Sequence, residues 1–413
     1  MVNRCINIDW LEVYALEPEH QPKRNQFYFE SQGYHVIPRD YGTRVYKEMF
    51  TICDDHDVPM IEVRREPASQ QNISGGLFPA ESCHLRLTNC YCYSENPIKV
   101  LREFMVKHDY TLGRIFRIDI CSDFEKFDRG DEPLRFLKRY MAGKYSKMNQ
   151  SNVSAHGRDT WEERKWNSLS WGQRKSMIYT KFYNKSQELR ECQDKPYIRW
   201  AWCNAGLIDN PINMTKRDDN GQQYTPEIWR VEFTISSSAR KWFVVERSDT
   251  RKPTKSYYPH TLDMYDNSEK LLAVFASLAH HYFRFKYFEE GVRKDRCRDK
   301  VLFDFSAMDK LWKVDRMASH KPSKTKTERL ITLLLTYKQH KIEPRINHAI
   351  DTIVTELRQD AIREFAGTHW NDHDTLVLHR LLAERVTGTI DKSLEQHTTE
   401  LKEMVEDLFD TIY

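Results

Sequence analysis

No stretch of this sequence is apolar enough to cross a membrane. Its longest apolar runs fall far short of the ~20 residues that a spanning helix needs. The first residues, MVNRCINIDWLEVYAL, lack the basic, apolar and small-residue succession of a signal peptide. Charge of one sign is lacking too. Lys and Arg number 64 against 61 Asp and Glu, a net charge of +3, so the total neither demands nor excludes a polyanionic partner, which local patches would decide. Cysteine offers no framework. The nine cysteines are odd in number and scattered. Cys90 and Cys92 stand too close for zinc-ribbon spacing, and no second pair follows. The reading is reduced thiols. Solenoid repeats and low-complexity tracts are absent as well. Together these absences predict a soluble protein of a reducing cytoplasm, with no membrane partner.

What is present is a chain of 413 residues, enough for two domains. At 39% hydrophobic it can build a core, and its 21 Tyr and 10 Trp suit base stacking or a sheet-rich fold. Residues 1–66 read as strands, and 67–76 as a turn-rich loop. CHLRLTN reads as a strand. NPIKVLREFMVKH reads as a helix capped by Asn96 with Pro97 in its first turn. A strand RIFRIDICSDFE and a helix at 131–142 follow, then a polar loop at 146–167. LSWGQRKSMIYTKFYNK reads as a hairpin, EIWRVEFTI as a strand and SEKLLAVFASLAHHYFRFKYFEE as a helix. After about residue 300 the pattern turns helical with almost no strand signal. The expected architecture is α+β: a central antiparallel sheet backed by helices over residues 1–300, then an all-α region over 301–413.

Period-two alternation gives four strands one apolar and one ionisable face. His84, Arg86 and Thr88 share a face; so do Arg117, Asp119, Cys121 and Asp123. Tyr179, Lys181, Tyr183 and Lys185 share another, as do Arg230, Glu232 and Thr234. A solvated outer face is one reading. If the strands are neighbours, a second arises, because the face then collects carboxylates, cations and two phenols. Asp119, Glu232 and Asp123 suit Mg²⁺ or Mn²⁺, and His84 adds a nitrogen that Mn²⁺ accepts. Such a metal polarises a phosphoryl oxygen, and arginine and lysine hold phosphates. A tyrosine with a lowered pKa beside lysine or metal can attack phosphorus. Arg117 and Arg230 can equally pair with the neighbouring acids, and Asp123 can cap the following turn.

SLSWGQRKSMIYTKFYNKSQE resembles the signature of plasmid-type rolling-circle replication initiators, the replication initiation factor or Rep_trans family. Gly172, Arg174, Ser176, Lys181, Tyr183, Asn184, Lys185 and Glu188 occupy its places. Arg117, Asp119 and Asp123 resemble the family's Arg-x-Asp-x-x-x-Asp strand, and Arg230 and Glu232 its Arg-x-Glu strand, in the family's order. The resemblance covers roughly residues 1–290. It implies a bacterial nicking-joining enzyme with a divalent metal. Such an enzyme cuts one strand at an origin, stays attached through tyrosine and leaves a 3′-hydroxyl for the host polymerase, with a helicase as a further partner. Related members are relaxases of conjugative elements.

On that resemblance Tyr183 is the nucleophile, with Lys185 and Glu188 beside it. Arg117, Arg174, Lys181 and Arg230 are the expected phosphate contacts. Tyr179 is a second nucleophile, a stacking ring or a sheet residue; on a strand it lies roughly 13 Å from Tyr183 at ~3.3 Å per residue. The sequence departs from the family at His84 and Arg86, where a glycine-containing strand is usual. A tyrosine recombinase needs an upstream arginine context that is lacking before Tyr413. A non-catalytic DNA-binding protein would not need acids opposite a tyrosine. The C-terminal helices fit DNA binding, a homodimer interface or a self-packed bundle.

Overall fold

The computed structural model describes residues 3–19, 22–68, 79–148, 152–159, 164–174, 176–192, 194–246, 254–288, 297–305 and 312–315. Met1–Met317 forms one compact unit. Its first strands are β1 (Arg4–Leu16), β2 (Val36–Pro38), β3 (Tyr46–Cys53), β4 (Pro59–Pro67), β5 (Ser82–Leu87) and β6 (Thr111–Phe124). Then come β7 (Tyr145–Lys147), β8 (Val153–Asp159), β9 (Arg164–Trp171), β10 (Ile178–Asn184), β11 (Lys216–Arg217) and β12 (Gln223–Tyr224). The last are β13 (Trp229–Ser236), β14 (Lys241–Glu246), β15 (Thr254–Pro259), β16 (Phe285–Tyr287), β17 (Arg298–Lys300) and β18 (Lys313–Asp315). The helices are α1 (Gln26–Ser31), α2 (Asn89–Cys92), α3 (Pro97–Lys107), α4 (Pro133–Met141), α5 (Lys185–Glu191), α6 (Pro196–Asn204) and α7 (Ser268–Tyr282).

Ten strands form one antiparallel sheet in the order β2-β3-β4-β5-β1-β6-β13-β10-β9-β8. This is the α+β arrangement that the alternation predicts. Leu11, Val13, Ile118, Ile120, Phe182, Val231 and Phe233 turn to one face and are fully buried. They join the apolar stripes of α3 (Ile98, Leu101, Phe104) and α7 (Val274, Phe275, Leu278) in one core. Removing such surface from water drives the packing. Asn96 caps α3 as expected, accepting from the Lys99 amide at 3.0 Å, with Pro97 in the first turn. In the β9–β10 hairpin Gly172 takes φ +93°, and a Cβ there would meet the Ile178 carbonyl oxygen at 3.2 Å, so the turn requires glycine.

Several local readings differ. The expected polar loop at 146–167 carries β8 and the start of β9, and the helix expected from Ser268 ends at Tyr282, with Phe285–Tyr287 a strand. The stretch 1–66 includes a helix, α1, whose Phe29 is buried. The insertion 192–225 carries α6 as well as the exposed β11–β12 ribbon. Residues 301–305 and 312–315 carry no helix, and Lys313–Asp315 is a strand. The three helices expected after residue 320 lie outside the described residues.

His108, at the C-terminal end of α3, is packed among Phe29, Phe104, Tyr28 and Tyr34. Its ring nitrogens meet the Tyr28 and Tyr34 hydroxyls at 3.2 and 3.1 Å. Burial, then the charges of Lys107 and Arg24, push its pKa down to about 4 from 6.5. Between those values the unfolded chain takes up a proton that the folded chain refuses. Stability is therefore lost as pH falls from 6.5 towards 4, by at most about 3 kcal/mol from this group. The urea midpoint should drop more steeply over that range in wild type than in His108→Gln; parallel curves would refute the assignment.

Candidate active site

Strand register brings the expected polar faces together. Along β10 and β13, Lys181 lies opposite Glu232, Tyr183 opposite Arg230 and Tyr179 opposite Thr234. Along β13 and β6, Glu232 lies opposite Cys121, Arg230 opposite Asp123 and Thr234 opposite Asp119. β5 is not adjacent to these three: β1 is inserted between, with Glu12 opposite both Arg117 and Arg86. His84 and Arg86 still share the face. β1 adds Trp10 and Glu12, and β4 adds Glu62 and Arg64, residues that the four-strand reading missed. Trp10, Glu12 and Tyr14 are legible in INIDWLEVYAL by the same alternation.

Glu232 is the centre of the arrangement. The Tyr183 hydroxyl donates to its Oε2 at 2.9 Å and Lys181 Nζ donates to its Oε1 at 2.6 Å. Burial and the charge of Glu232 push the Tyr183 phenol well above its ordinary pKa. This reverses the expected lowering, because a carboxylate acceptor stabilises the protonated phenol. Burial alone would lower Lys181, but Glu232 outweighs it and holds the ammonium above its usual value. Asp119, nearly fully buried, is gripped by Arg117 through Nε at 2.9 Å and through Nη2. Burial, together with the like charge of Glu232, raises Asp119 to about 6 even against Arg117.

A cleft of about 410 Å³ opens on this centre, lined by Tyr179, Lys181, Tyr183, Ser168, Ser170 and Glu188 among others. Tyr179 thus shares the cleft with Tyr183. Its ring lies 5.9 Å from Lys181 Nζ, and its hydroxyl has no carboxylate partner among the described residues. The layering of charge favours an anionic visitor. Lys181, Arg117, Arg86 and Arg64 are 21–34% exposed, whereas their partners Glu232, Asp119, Glu62 and Glu12 are 2–9% exposed. The cations cover the acids, and a phosphate arriving from solvent meets N–H donors first.

Four expected site residues take other places. Lys185 does not continue the strand face. Asn184 ends β10 and caps α5, accepting from the Gln187 amide at 2.9 Å, so Lys185 opens the helix and is buried. It bonds Glu188, its Nζ lies 5.5 Å from the centre of the Tyr183 ring, and burial and Arg230 lower its pKa. Arg230 is fully buried and is no phosphate contact. It binds Asp123 through Nε at 2.6 Å and Nη2 at 2.7 Å, Asp9 at 2.7 Å and the Tyr93 hydroxyl at 2.7 Å. Asp123, fully buried, also accepts from Trp202 Nε1 at 2.7 Å, so it lies under the cover of Trp202 and not on the open face. Arg174 sits exposed in the β9–β10 turn, away from the cleft lining. The physical reason at Arg230 is cover: Trp202 of α6 and Tyr93 after α2 close over that end of the face. Asp9 reaches Arg230 from a β-bulge in β1 between Ile8 and Trp10.

His84 belongs to a separate ionic cluster. Its Nδ1 meets Glu12 Oε1 at 2.8 Å, and Arg64 reaches the same oxygen at 3.0 Å. The expected four-ligand metal set is therefore not assembled. Among the described residues no three His, Cys, Asp or Glu side chains converge as a metal-holding group. Asp119 and Glu232 are the two acids of the site that would hold a divalent cation, and each already bonds a cation of the chain, Arg117 and Lys181 respectively.

No family model matches the chain. No curated protein matches its sequence. Among solved structures it is similar to a rolling circle replication initiator protein from Geobacillus stearothermophilus. The identity is 13% over 72% of this chain and 93% of that one, with a TM-score of 0.40. That likeness is too distant to carry an argument. No helix among the described residues is long and apolar enough to cross a membrane.

Proposed function

We propose that the chain nicks and rejoins one DNA strand through Tyr183, in the manner of a rolling-circle replication initiator. The observation that carries this is the Tyr183–Glu232–Lys181 arrangement, with Tyr183 and Lys181 lining a cleft and the part-exposed Arg117 gripping Asp119 on the neighbouring strand pair. Tyr183 Oη bonds to phosphorus while its proton passes to Glu232, a buried acceptor already aligned for it. The P–O3′ bond breaks, and the leaving oxygen takes a proton from Lys181, which recovers one from the shared carboxylate of Glu232. The products are a 5′-phosphotyrosine and a free 3′-hydroxyl, and rejoining is the reverse. Arg117 and Lys181 hold the phosphate oxygens. Asp119 and Glu232 would hold Mg²⁺ or Mn²⁺, which supplies Lewis-acid polarisation of the phosphoryl group when bound. The DNA partner is the unpaired strand of an origin.

Glu232→Gln removes the carboxylate both as base and as metal holder. Glutamine still accepts from the phenol and fills the same space, but it is a poor base. Nicking of supercoiled plasmid carrying the cognate origin should fall by roughly 10²–10⁴-fold, with strand binding retained. Wild-type nicking in that variant would sink the proposed role of Glu232.

A further inference from the structure

A second patterned surface lies outside the cleft. β14, β15 and β18 form a three-stranded antiparallel sheet in the order β15-β14-β18. Phe243 lies opposite Tyr257 on one side and Lys313 on the other; Val245 lies opposite Lys255. Period two therefore collects Lys241, Phe243, Lys255, Tyr257 and Lys313 on one face. The opposite face, with Trp242, Val244 and Val314, is buried against the core. The outward face is not an ordinary solvated one. Lys241 Nζ rests 4.1 Å from the Tyr257 ring centre, and Lys255 and Lys313 lie 5.4 and 5.6 Å from that of Phe243. Tyr257 is 46% exposed. Lys241 lies opposite Asp315 in the register; Lys255 has no carboxylate partner among the described residues. On the sheet face of the site Lys181, Arg117, Arg86 and Arg64 are each matched by an acid.

We propose that this face is a stacking platform for single-stranded DNA. Aromatic faces take successive bases regardless of sequence, and ammonium groups take the phosphates between them. A base that occupies the Phe243 ring displaces Lys255, which no carboxylate among the described residues holds, and delivers it to the adjacent phosphate. The place in the chain fits a strand passing Arg117. Ser236, opposite Arg117, is followed five residues later by Lys241, at most ~18 Å of chain. The inference takes the identity of the strand from the proposed function, but the platform does not depend on Tyr183 being the nucleophile.

The test uses the full chain carrying Tyr183→Phe, so that nicking plays no part, and labelled oligo(dT) followed by fluorescence anisotropy. Tyr257→Ala should weaken binding by roughly 5- to 150-fold, the range for loss of one stacked base. Tyr257→Phe should bind as the parent does. Combined Lys241→Gln, Lys255→Gln and Lys313→Gln should lower the slope of log K against log salt by about 2, at ~0.7 per phosphate contact. Circular dichroism and urea midpoints matching the parent exclude misfolding. Unchanged affinity and slope, or equal losses in Tyr257→Ala and Tyr257→Phe, would overturn the platform. So would lysine variants that lose anionic vesicles while keeping oligo(dT). Should the parent fail to bind oligo(dT), the platform fails as well. Failure of the nucleophile assignment shows separately, as wild-type nicking by Tyr183→Phe.

Discussion

Tyr183→Phe should abolish nicking and covalent attachment, a loss on the order of 10⁴-fold or more, while single-strand binding persists. The substitution removes one atom. The ring stays against Lys185 Nζ, and Glu232 keeps Lys181 as a donor. The fold loses a hydrogen bond to a charged acceptor, about 1.5–3 kcal/mol, which a protein of ordinary stability tolerates. Tyr179 cannot take over. It faces the same cleft but lies roughly 13 Å along the strand, and among the described residues no carboxylate accepts from its hydroxyl. Tyr179→Phe should accordingly cost less than tenfold. The readouts are conversion of supercoiled to open-circular plasmid and protease-sensitive transfer of DNA label to protein.

Arg230→Met should destabilise the fold by about 3–5 kcal/mol, a large share of a typical total. The guanidinium is fully buried and compensates Asp123 and Asp9. Removing it leaves two carboxylates without their cation, beneath Trp202 and Tyr93. The pH dependence gives the sign. In wild type burial alone would raise Asp9, but Arg230 and Lys185 outweigh it and hold the acid well below 3.8. Its contribution is thus present above that value and lost as pH falls towards the folded pKa. In the variant the uncompensated acids protonate readily, so the gap between wild type and variant should narrow from pH 7 to pH 4. Adding Asp9→Asn and Asp123→Asn should recover part of the loss. Equal urea midpoints for wild type and Arg230→Met would contradict the buried network.

Much of the sheet was legible because its signal is local. Alternation along RIDICSD, IYTKFYN and WRVEFTI assigned the polar faces, and the Asn96-Pro97 and Gly172 signals placed a helix start and a turn. What alternation cannot convey is what covers a face. Arg230 and Asp123 read like Arg117 and Asp119, yet the first pair is sealed by α6, whereas Arg117 of the second is part-exposed. α6 itself lies in an insertion without a clear pattern. The bulge that aims Asp9 at Arg230 depends on pairing with β6, which no local stretch encodes. The direction of the Tyr183 shift failed for a related reason. Lys181 stands two residues away and invited a lowered pKa, but Glu232, 49 positions further on, claims both groups.

The central claim is that Tyr183 becomes covalently bound to DNA. The two candidate tyrosines fall on different tryptic peptides, Ser176–Lys181 for Tyr179 and Phe182–Lys185 for Tyr183. Cleavage of origin DNA in the presence of Mn²⁺ or Mg²⁺, followed by nuclease and trypsin digestion and mass spectrometry, locates the bond. A nucleotide-sized mass increase on Phe182–Lys185 is the predicted result; the same increase on Ser176–Lys181, or cleavage with no adduct on either peptide, would contradict it.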